Sequence, residues 1–172
     1  MILPREFEEQ MRRELGGDAP AFLATYKEES LAGLRLNARK GYVPEEDLAP
    51  VPWCPSGRYV PPGLRPGKDP LHAAGAYYLQ EPSAMAPARA LDARPGMRVM
   101  DLCAAPGGKS TQIAQDLCGQ GVLIANEIHP ARARILLENI ERMGVPNAVV
   151  LNETPARIAA HFGAWFDAVL VD

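Results

Sequence analysis

The chain has three cysteines, Cys54, Cys103 and Cys118, and none stands in CxxC spacing. That argues against a disulfide framework and a structural zinc site, and fits a reducing, cytoplasmic setting with no bound metal. Long apolar runs are missing too. The opening stretch MILPREFEEQMRREL carries charge throughout, which excludes a signal peptide or a membrane span there. An overall excess of positive charge is also absent: the formal net charge is -3, which argues against a uniformly basic nucleic-acid binder. Between residues 33 and 68, however, Arg35, Arg39, Lys40, Arg58, Arg65 and Lys68 outnumber Glu45, Glu46 and Asp47. A local basic face and an ordinary solvated loop surface are both open readings of that stretch.

At 172 residues and 47% hydrophobic, the chain can bury a core for one compact domain with an appendage. Phe7, Met11 and Leu15 recur at helical spacing after Pro4, and Gly16 and Gly17 supply the stop. Asp18 is placed to cap a second helix with Pro20 in its first turn, whose inward stripe would use Phe22, Tyr26 and Leu31 or Leu34. LRLNARK (34–40) alternates like a short half-buried strand. Residues 41–70 are crowded with proline and glycine and read as extended connections packed on a larger body. Residues 1–80 are therefore expected to form a mainly helical accessory region.

From about residue 82 the rhythm changes. PSAMAPARAL is helical with an internal proline, and after it strands at 98–102, 122–127, 148–151 and 166–172 alternate with helices near 107–118, 131–143 and 155–162. That pattern predicts an α/β fold with a parallel sheet and right-handed crossovers. Ligands of such sheets sit beyond the carboxyl ends of the strands, so Asp101, the 103–109 loop, Glu127 and Asp172 are expected to face one crevice.

The turn between the first strand and its helix, DLCAAPGGKST (101–111), admits two readings. GGKST with the later apolar strand AVLVD imitates a phosphate-binding loop, with Lys109 on phosphates, Ser110 on magnesium and Asp172 behind it. The imitation fails at Cys103, where that loop needs glycine. Ala104, Ala105 and Pro106 stiffen the turn further, and Pro106 removes an amide donor. GxGxxG is absent as well, so no pyrophosphate is expected. A carboxylate such as Glu127 can accept hydrogen bonds from both hydroxyls of a ribose. A ribose-bearing cation met by acids, S-adenosylmethionine, fits this turn better than ATP.

DLCAAPGGKST, together with YYLQEPSAM and RLNARK upstream, resembles the Sun-type (Fmu-like) RNA 5-methylcytosine methyltransferases, most closely the bacterial enzymes that modify 16S ribosomal RNA (RsmF-like). The resemblance implies a Rossmann-like S-adenosylmethionine-dependent methyltransferase fold, with 81–172 as the first half of its catalytic domain and 1–80 as an accessory region that is a candidate for RNA contact. It also implies a cofactor pocket lined by Cys103, Ala104, Ala105, Pro106, Gly107, Gly108 and Lys109, with Glu127 on the ribose and Asp172 near the methionine end. The family's adenine-side acid has no clean counterpart here; an ungapped reading puts Thr154 at its place with Glu153 beside it.

In that family a cysteine thiolate adds to carbon 6 of cytosine, which lets carbon 5 attack a methyl group, and a base then removes the carbon 5 proton. The family's cysteines follow the aspartate matched by Asp172, so no catalytic residue is assigned in this chain, which is expected to be a partial one and inactive alone. Cys103 is expected to be a small buried residue and Cys118 core; Cys54, in WCPSG, lies in the accessory region and is assigned no role. The strand ending at Asp172 is expected to be left as an apolar edge. For RNA, Trp53, Tyr59, Tyr77 and Tyr78 beside Arg58 and Arg65 are candidates for stacking and phosphate contact, with simple packing as the alternative. The rival functions are a P-loop-like ATPase and a non-catalytic RNA-binding assembly factor.

Overall fold

Proline has no amide proton to give a helix, and Pro4 accordingly stands just before the first one. The computed structural model describes residues 2–28 and 30–172, in two compact units, Met1–Leu31 and Ala32–Asp172. In the first unit, α1 (Arg5–Leu15) ends at Gly16, whose φ of 54° suits glycine, and α2 (Ala19–Thr25) carries Pro20 in its first turn. Phe7 and Phe22 meet Tyr26 edge-on at 5.6 Å and 5.5 Å, which clasps the two helices. The helix stops at Thr25, whose hydroxyl donates to the Phe22 carbonyl, so the expected stripe does not extend to Leu31 or Leu34. Leu31 is exposed and Leu34 belongs to the first strand.

The second unit holds two four-stranded sheets. The first is antiparallel, in the order β2-β3-β1-β4, from β1 (Ala32–Leu36), β2 (Pro50–Val51), β3 (Cys54–Val60) and β4 (Tyr77–Leu79), with the short helix α3 (Pro70–Ala73) before β4. Residues 41–70, expected to be connections, thus contribute two strands. Pro50 sits on the edge strand β2, and the register shifts beside it, which is how a sheet accommodates proline. Alternation along β1 puts Leu34 and Leu36 against Leu48, Val60 and Tyr77 on one face, leaving Arg35 on the other.

A 3-10 turn at Ser83–Met85 runs into α4 (Ala86–Ala90), and then the parallel sheet begins. Its strands are β5 (Arg98–Asp101), β6 (Val122–Asn126), β7 (Ala148–Leu151) and β8 (Ala168–Leu170), in the order β7-β6-β5-β8. The crossovers are α5 (Gly108–Asp116), α6 (Pro130–Arg142) and α7 (Pro155–Phe162). Val99, Leu123 and Ala125 meet Ile113 of α5, Leu117 just past its end, and Leu136 and Ile140 of α6, whereas Met100 and Ile124 meet Ile158 and Phe162 of α7. The central strands β5 and β6 are near-continuously apolar because both their faces are covered, while the outer strands β7 and β8 leave Val149 and Val169 exposed. From β5 the chain goes to β6 on one side and β8 comes in on the other, so the switch point of the sheet lies at the carboxyl end of β5. The edge strand β8 leaves Val169 and the following Val171 exposed, 49% and 66%. Among the described residues no helix is long and apolar enough to cross a membrane.

Candidate cofactor-binding site

The end of β5 runs into a turn whose conformation glycine makes possible. Gly107 has φ 114°, and a Cβ there would lie 3.2 Å from Leu136 and 3.4 Å from Asn139, so the turn packs directly on α6. Gly107 also stands at the N-cap of α5 and has no side chain to cap with, which leaves the first amides of that helix without a capping side chain. At Gly108 a Cβ would come within 3.3 Å of Tyr78 and Gln80, which bring β4 against the turn from the opposite side.

Side chains from β6 and α6 take up the carbonyls of the turn. Asn126 Nδ2 donates to Leu102 O at 3.2 Å, Arg132 Nη2 to Ala105 O at 2.9 Å and Asn139 Nδ2 to Pro106 O at 2.9 Å. Asn126, itself buried, also donates to Glu153 O and accepts from Glu153 N, and so ties the ends of β5, β6 and β7 together. Its role is invisible in sequence, where it is one residue of an apolar strand.

Around the turn lies a cavity of about 220 Å3 lined by Cys103, Ala104, Ala105, Pro106, Gly108 and Lys109, with Tyr78, Gln80 and Asp101 among the other walls. Gly107 lies behind it, and Glu127 and Asp172 are not on its lining. Asp172 pairs with Lys109 Nζ at the cavity's side. Glu127 is 3% exposed; its Oε1 accepts from His129 N at 3.0 Å and its Oε2 pairs with Arg132 Nη1 at 3.1 Å. Arg132 therefore links the turn to the strand-end acid. Of the two adenine-side candidates, Thr154 accepts from Arg157 N at the start of α7, and Glu153 pairs with Arg157 at 3.1 Å.

Asp101 is 2% exposed and accepts from Ser110 Oγ at 2.6 Å. Burial raises its carboxyl above the ordinary aspartate value, against the pull of the Ser110 hydrogen bond and of Lys109. Ser110, the residue a phosphate loop would turn to magnesium, is fully buried and committed to this carboxylate.

The cysteines depart from expectation. Cys103 and Cys118 are exposed and Cys54 is the buried one. Cys103 sits in the part of the turn that opens on the cavity, and Cys118, at φ 51°, lies past the end of α5, where the chain turns out into solvent. Cys54 packs with Val51 and Met85. Two of the aromatic residues read as candidate RNA platforms are also corrected: Tyr77 and Tyr78 are 2% and 7% exposed, buried by the packing of β4, and offer no free ring face. Trp53 keeps an exposed ring while its Nε1 donates to Pro82 O at 2.8 Å.

A parallel sheet switching at β5, a glycine turn into α5 and acids at the strand ends define the Rossmann-like fold of S-adenosylmethionine-dependent methyltransferases. Family comparison is specific within that class. A model of the N-terminal domain of 16S rRNA methyltransferase RsmF matches residues 3–82, and one of the 16S rRNA methyltransferase RsmB/F matches residues 88–172. The chain belongs to the RsmB/F methyltransferase family.

Ribosomal RNA small subunit methyltransferase F of Enterobacter sp. (strain 638) is 35% identical over 191 residues, covering 100% of this chain and 39% of that protein. The protein of that name from Escherichia coli O157:H7 (strain EC4115 / EHEC) is 37% identical over 145 residues, 81% of this chain and 29% of its own length. The chain thus spans well under half the length of these curated relatives. Among solved structures, a methyltransferase homolog protein from Pyrococcus horikoshii superposes with a TM-score of 0.77 at 26% identity, covering 92% of this chain and 55% of that one. NSun6 from Pyrococcus horikoshii with SFG gives a TM-score of 0.76 over 98% of this chain and 70% of that one; at 19% identity the likeness is one of fold.

Proposed function

We propose that this chain binds S-adenosylmethionine beyond the ends of β5 and β6 and forms the cofactor-holding part of an RNA cytosine-5 methyltransferase whose substrate is 16S ribosomal RNA, in the cytoplasm. The observation that carries the reading is the pair of buried carboxylates, Asp101 and Glu127, at the ends of two adjacent strands flanking one glycine turn. Their charges attract a sulfonium and repel a triphosphate. Three features of the turn weigh against a phosphate loop as well: Ser110 faces Asp101, Lys109 is paired with Asp172, and Cys103 stands where that loop needs glycine.

The residues present fit the cofactor. Cys103 to Lys109 supply a wall of small side chains and backbone, and each oxygen of Glu127 retains acceptor capacity for a ribose hydroxyl beyond the contact it makes. Asp172 is assigned to the methionine end and Glu153 or Thr154 to the adenine side. When bound, the cofactor supplies the methyl group. The chain's own residues hold and orient it: the turn carbonyls are fixed by Asn126, Arg132 and Asn139, and Asp101 keeps the negative charge of the crevice near the start of α5.

Family resemblance supports methylation at carbon 5 through a cysteine adduct at carbon 6. None of Cys54, Cys103 and Cys118 is assigned as that nucleophile, and the 172-residue chain is expected to bind cofactor without transferring methyl groups. In role, residues 1–80 serve RNA contact and 81–172 hold the cofactor. Calorimetric titration and thermal unfolding test the reading: S-adenosylhomocysteine should bind and stabilise, and ATP with magnesium should not. Stabilisation by ATP-magnesium alone would overturn it.

A further inference from the structure

Arg35 is buried completely, and among the described residues none of its hydrogen bonds goes to a carboxylate. Strand alternation turns it away from Leu34 and Leu36 and toward α5. There Nη2 donates to Thr111 Oγ1 at 2.6 Å and Gly108 O at 3.3 Å, Nη1 to Gln115 Oε1 at 2.8 Å and Nε to Gln80 Oε1 at 3.3 Å. Burial lowers its guanidinium to about 10, with Cys54, Tyr78 and Asp116 pulling the other way. A buried charge met by neutral acceptors is costly, and packing alone would be served better by an apolar side chain of similar volume. What the arginine supplies is a rigid fork that reaches several acceptors at once.

Those acceptors are not scattered. Gly108 and Thr111 form the first turn of α5, and Gln80 is a wall of the cavity whose other amide end is anchored on Ala84 O at 2.9 Å. Thr111 passes the contact on, since its hydroxyl donates to Gly107 O at 2.8 Å. One side chain from β1 therefore fixes both Gln80 and the backbone from Gly107 to Thr111.

We propose that Arg35 is a positioning residue for the cofactor turn, by which the antiparallel sheet holds the first turn of α5 in its ligand-binding geometry. This rests on the cofactor reading above for its functional consequence, although the ordering of the turn can be read without any ligand. Arg35→Met keeps bulk and removes charge and donors, Arg35→Lys keeps charge and loses the fork, and Thr111→Val removes the acceptor on α5 while leaving Arg35 in place.

In hydrogen exchange of the ligand-free chain, amides 108–112 of Arg35→Met should exchange roughly tenfold faster while those of β5 and β6 keep their protection. S-adenosylhomocysteine affinity, measured where every variant is folded, should fall roughly tenfold, with Arg35→Lys intermediate and Thr111→Val in the same direction. A merely structural arginine would instead lower the unfolding temperature and speed exchange everywhere, with affinity within about twofold of the parent; that pattern, or unchanged exchange at 108–112, overturns the proposal. If Arg35→Met does not fold, Thr111→Val decides by the same two readouts. Failure of the parent chain to bind S-adenosylhomocysteine would sink the cofactor reading, and the ligand-free exchange would still decide whether Arg35 orders the turn.

Discussion

Ser110 Oγ donates to Asp101 Oδ2 at 2.6 Å, a bond between two buried residues that closes the first helical turn of α5 back onto the end of β5. A buried carboxylate is tolerated only where donors satisfy it, and this hydroxyl is foremost among them. Ser110→Ala should therefore destabilise the chain by about 1–3 kcal/mol. Urea denaturation measures it; an unchanged midpoint would mean that Asp101 finds another donor.

Asp101 also predicts a pH dependence. Its folded carboxyl holds the proton more tightly than the unfolded chain does, so its contribution is most favourable below the ordinary aspartate value and is lost as pH rises through the raised folded value. Asp101→Asn, which cannot ionise, should match the parent near pH 4 and gain on it as pH rises toward about 7, while its affinity for S-adenosylhomocysteine falls. Thermal unfolding across that range checks the sign. A stability difference independent of pH would remove the cost assigned to the carboxylate.

The parallel sheet was legible in sequence because its strands stand out as short apolar runs alternating with helical stretches; 148–151 and 155–162 coincide with β7 and α7. Of the antiparallel sheet only LRLNARK was read as a strand, and it overlaps β1 before the chain turns at Ala38–Lys40; β2 and β3 were missed, since Pro50, Pro55 and Gly57 lie inside them and carry the local signature of loops. Asp101, the turn and Glu127 could be picked out from their places at strand ends. Arg35 and Asn126 could not, because what each does depends on partners brought close by tertiary folding, Thr111 for one and Leu102 and Glu153 for the other. Exposure of Cys103 and Cys118 escaped for a related reason: a small thiol in an apolar neighbourhood reads as core unless the turn's direction is known.

That exposure gives a test by chemistry. A thiol reagent applied to the native chain should modify Cys103 and Cys118 and spare Cys54 until the chain is unfolded. S-adenosylhomocysteine should protect Cys103, which lines the cavity, and leave Cys118 reactive. Mass spectrometry of the labelled peptides reads both outcomes. Equal protection of the two thiols would point to a global stiffening and away from occupancy of the turn.

Two glycines with left-handed backbones separate conformational strain from collision. Gly63 has φ 91° with nothing within 4 Å of a built Cβ, whereas at Gly75, φ 73°, that atom would lie 1.9 Å from the Arg142 carbonyl oxygen. Gly63→Ala should cost about 1 kcal/mol, from backbone conformation alone. Gly75→Ala should cost clearly more, because α3 and the end of α6 must move apart, breaking the Arg142 bond to His72 O at 2.7 Å. Denaturation midpoints of the two variants, compared side by side, would contradict this if they were equal.

Glu127 carries the most direct test of the ribose assignment. Its Oε2 holds Arg132, and Arg132 in turn holds the Ala105 carbonyl, so the acid steadies the turn through the arginine besides the ribose contact proposed for it. Glu127→Gln keeps size and one carbonyl oxygen, which can still accept from His129 N, but sets an amide NH2 against the guanidinium. The ligand loses a charged acceptor, and a charge-assisted hydrogen bond is worth about 1.5–3 kcal/mol. The affinity for S-adenosylhomocysteine should consequently fall roughly 10- to 100-fold, measured where the variant is folded, since loss of the Arg132 pair also lowers the unfolding temperature of the ligand-free chain. Arg132→Met separates the two contributions: it frees Ala105 O and leaves the carboxylate in place. Should Glu127→Gln bind as tightly as the parent while Arg132→Met binds weakly, the acid would be a brace for the turn and the ribose contact would have to come from elsewhere on the crevice.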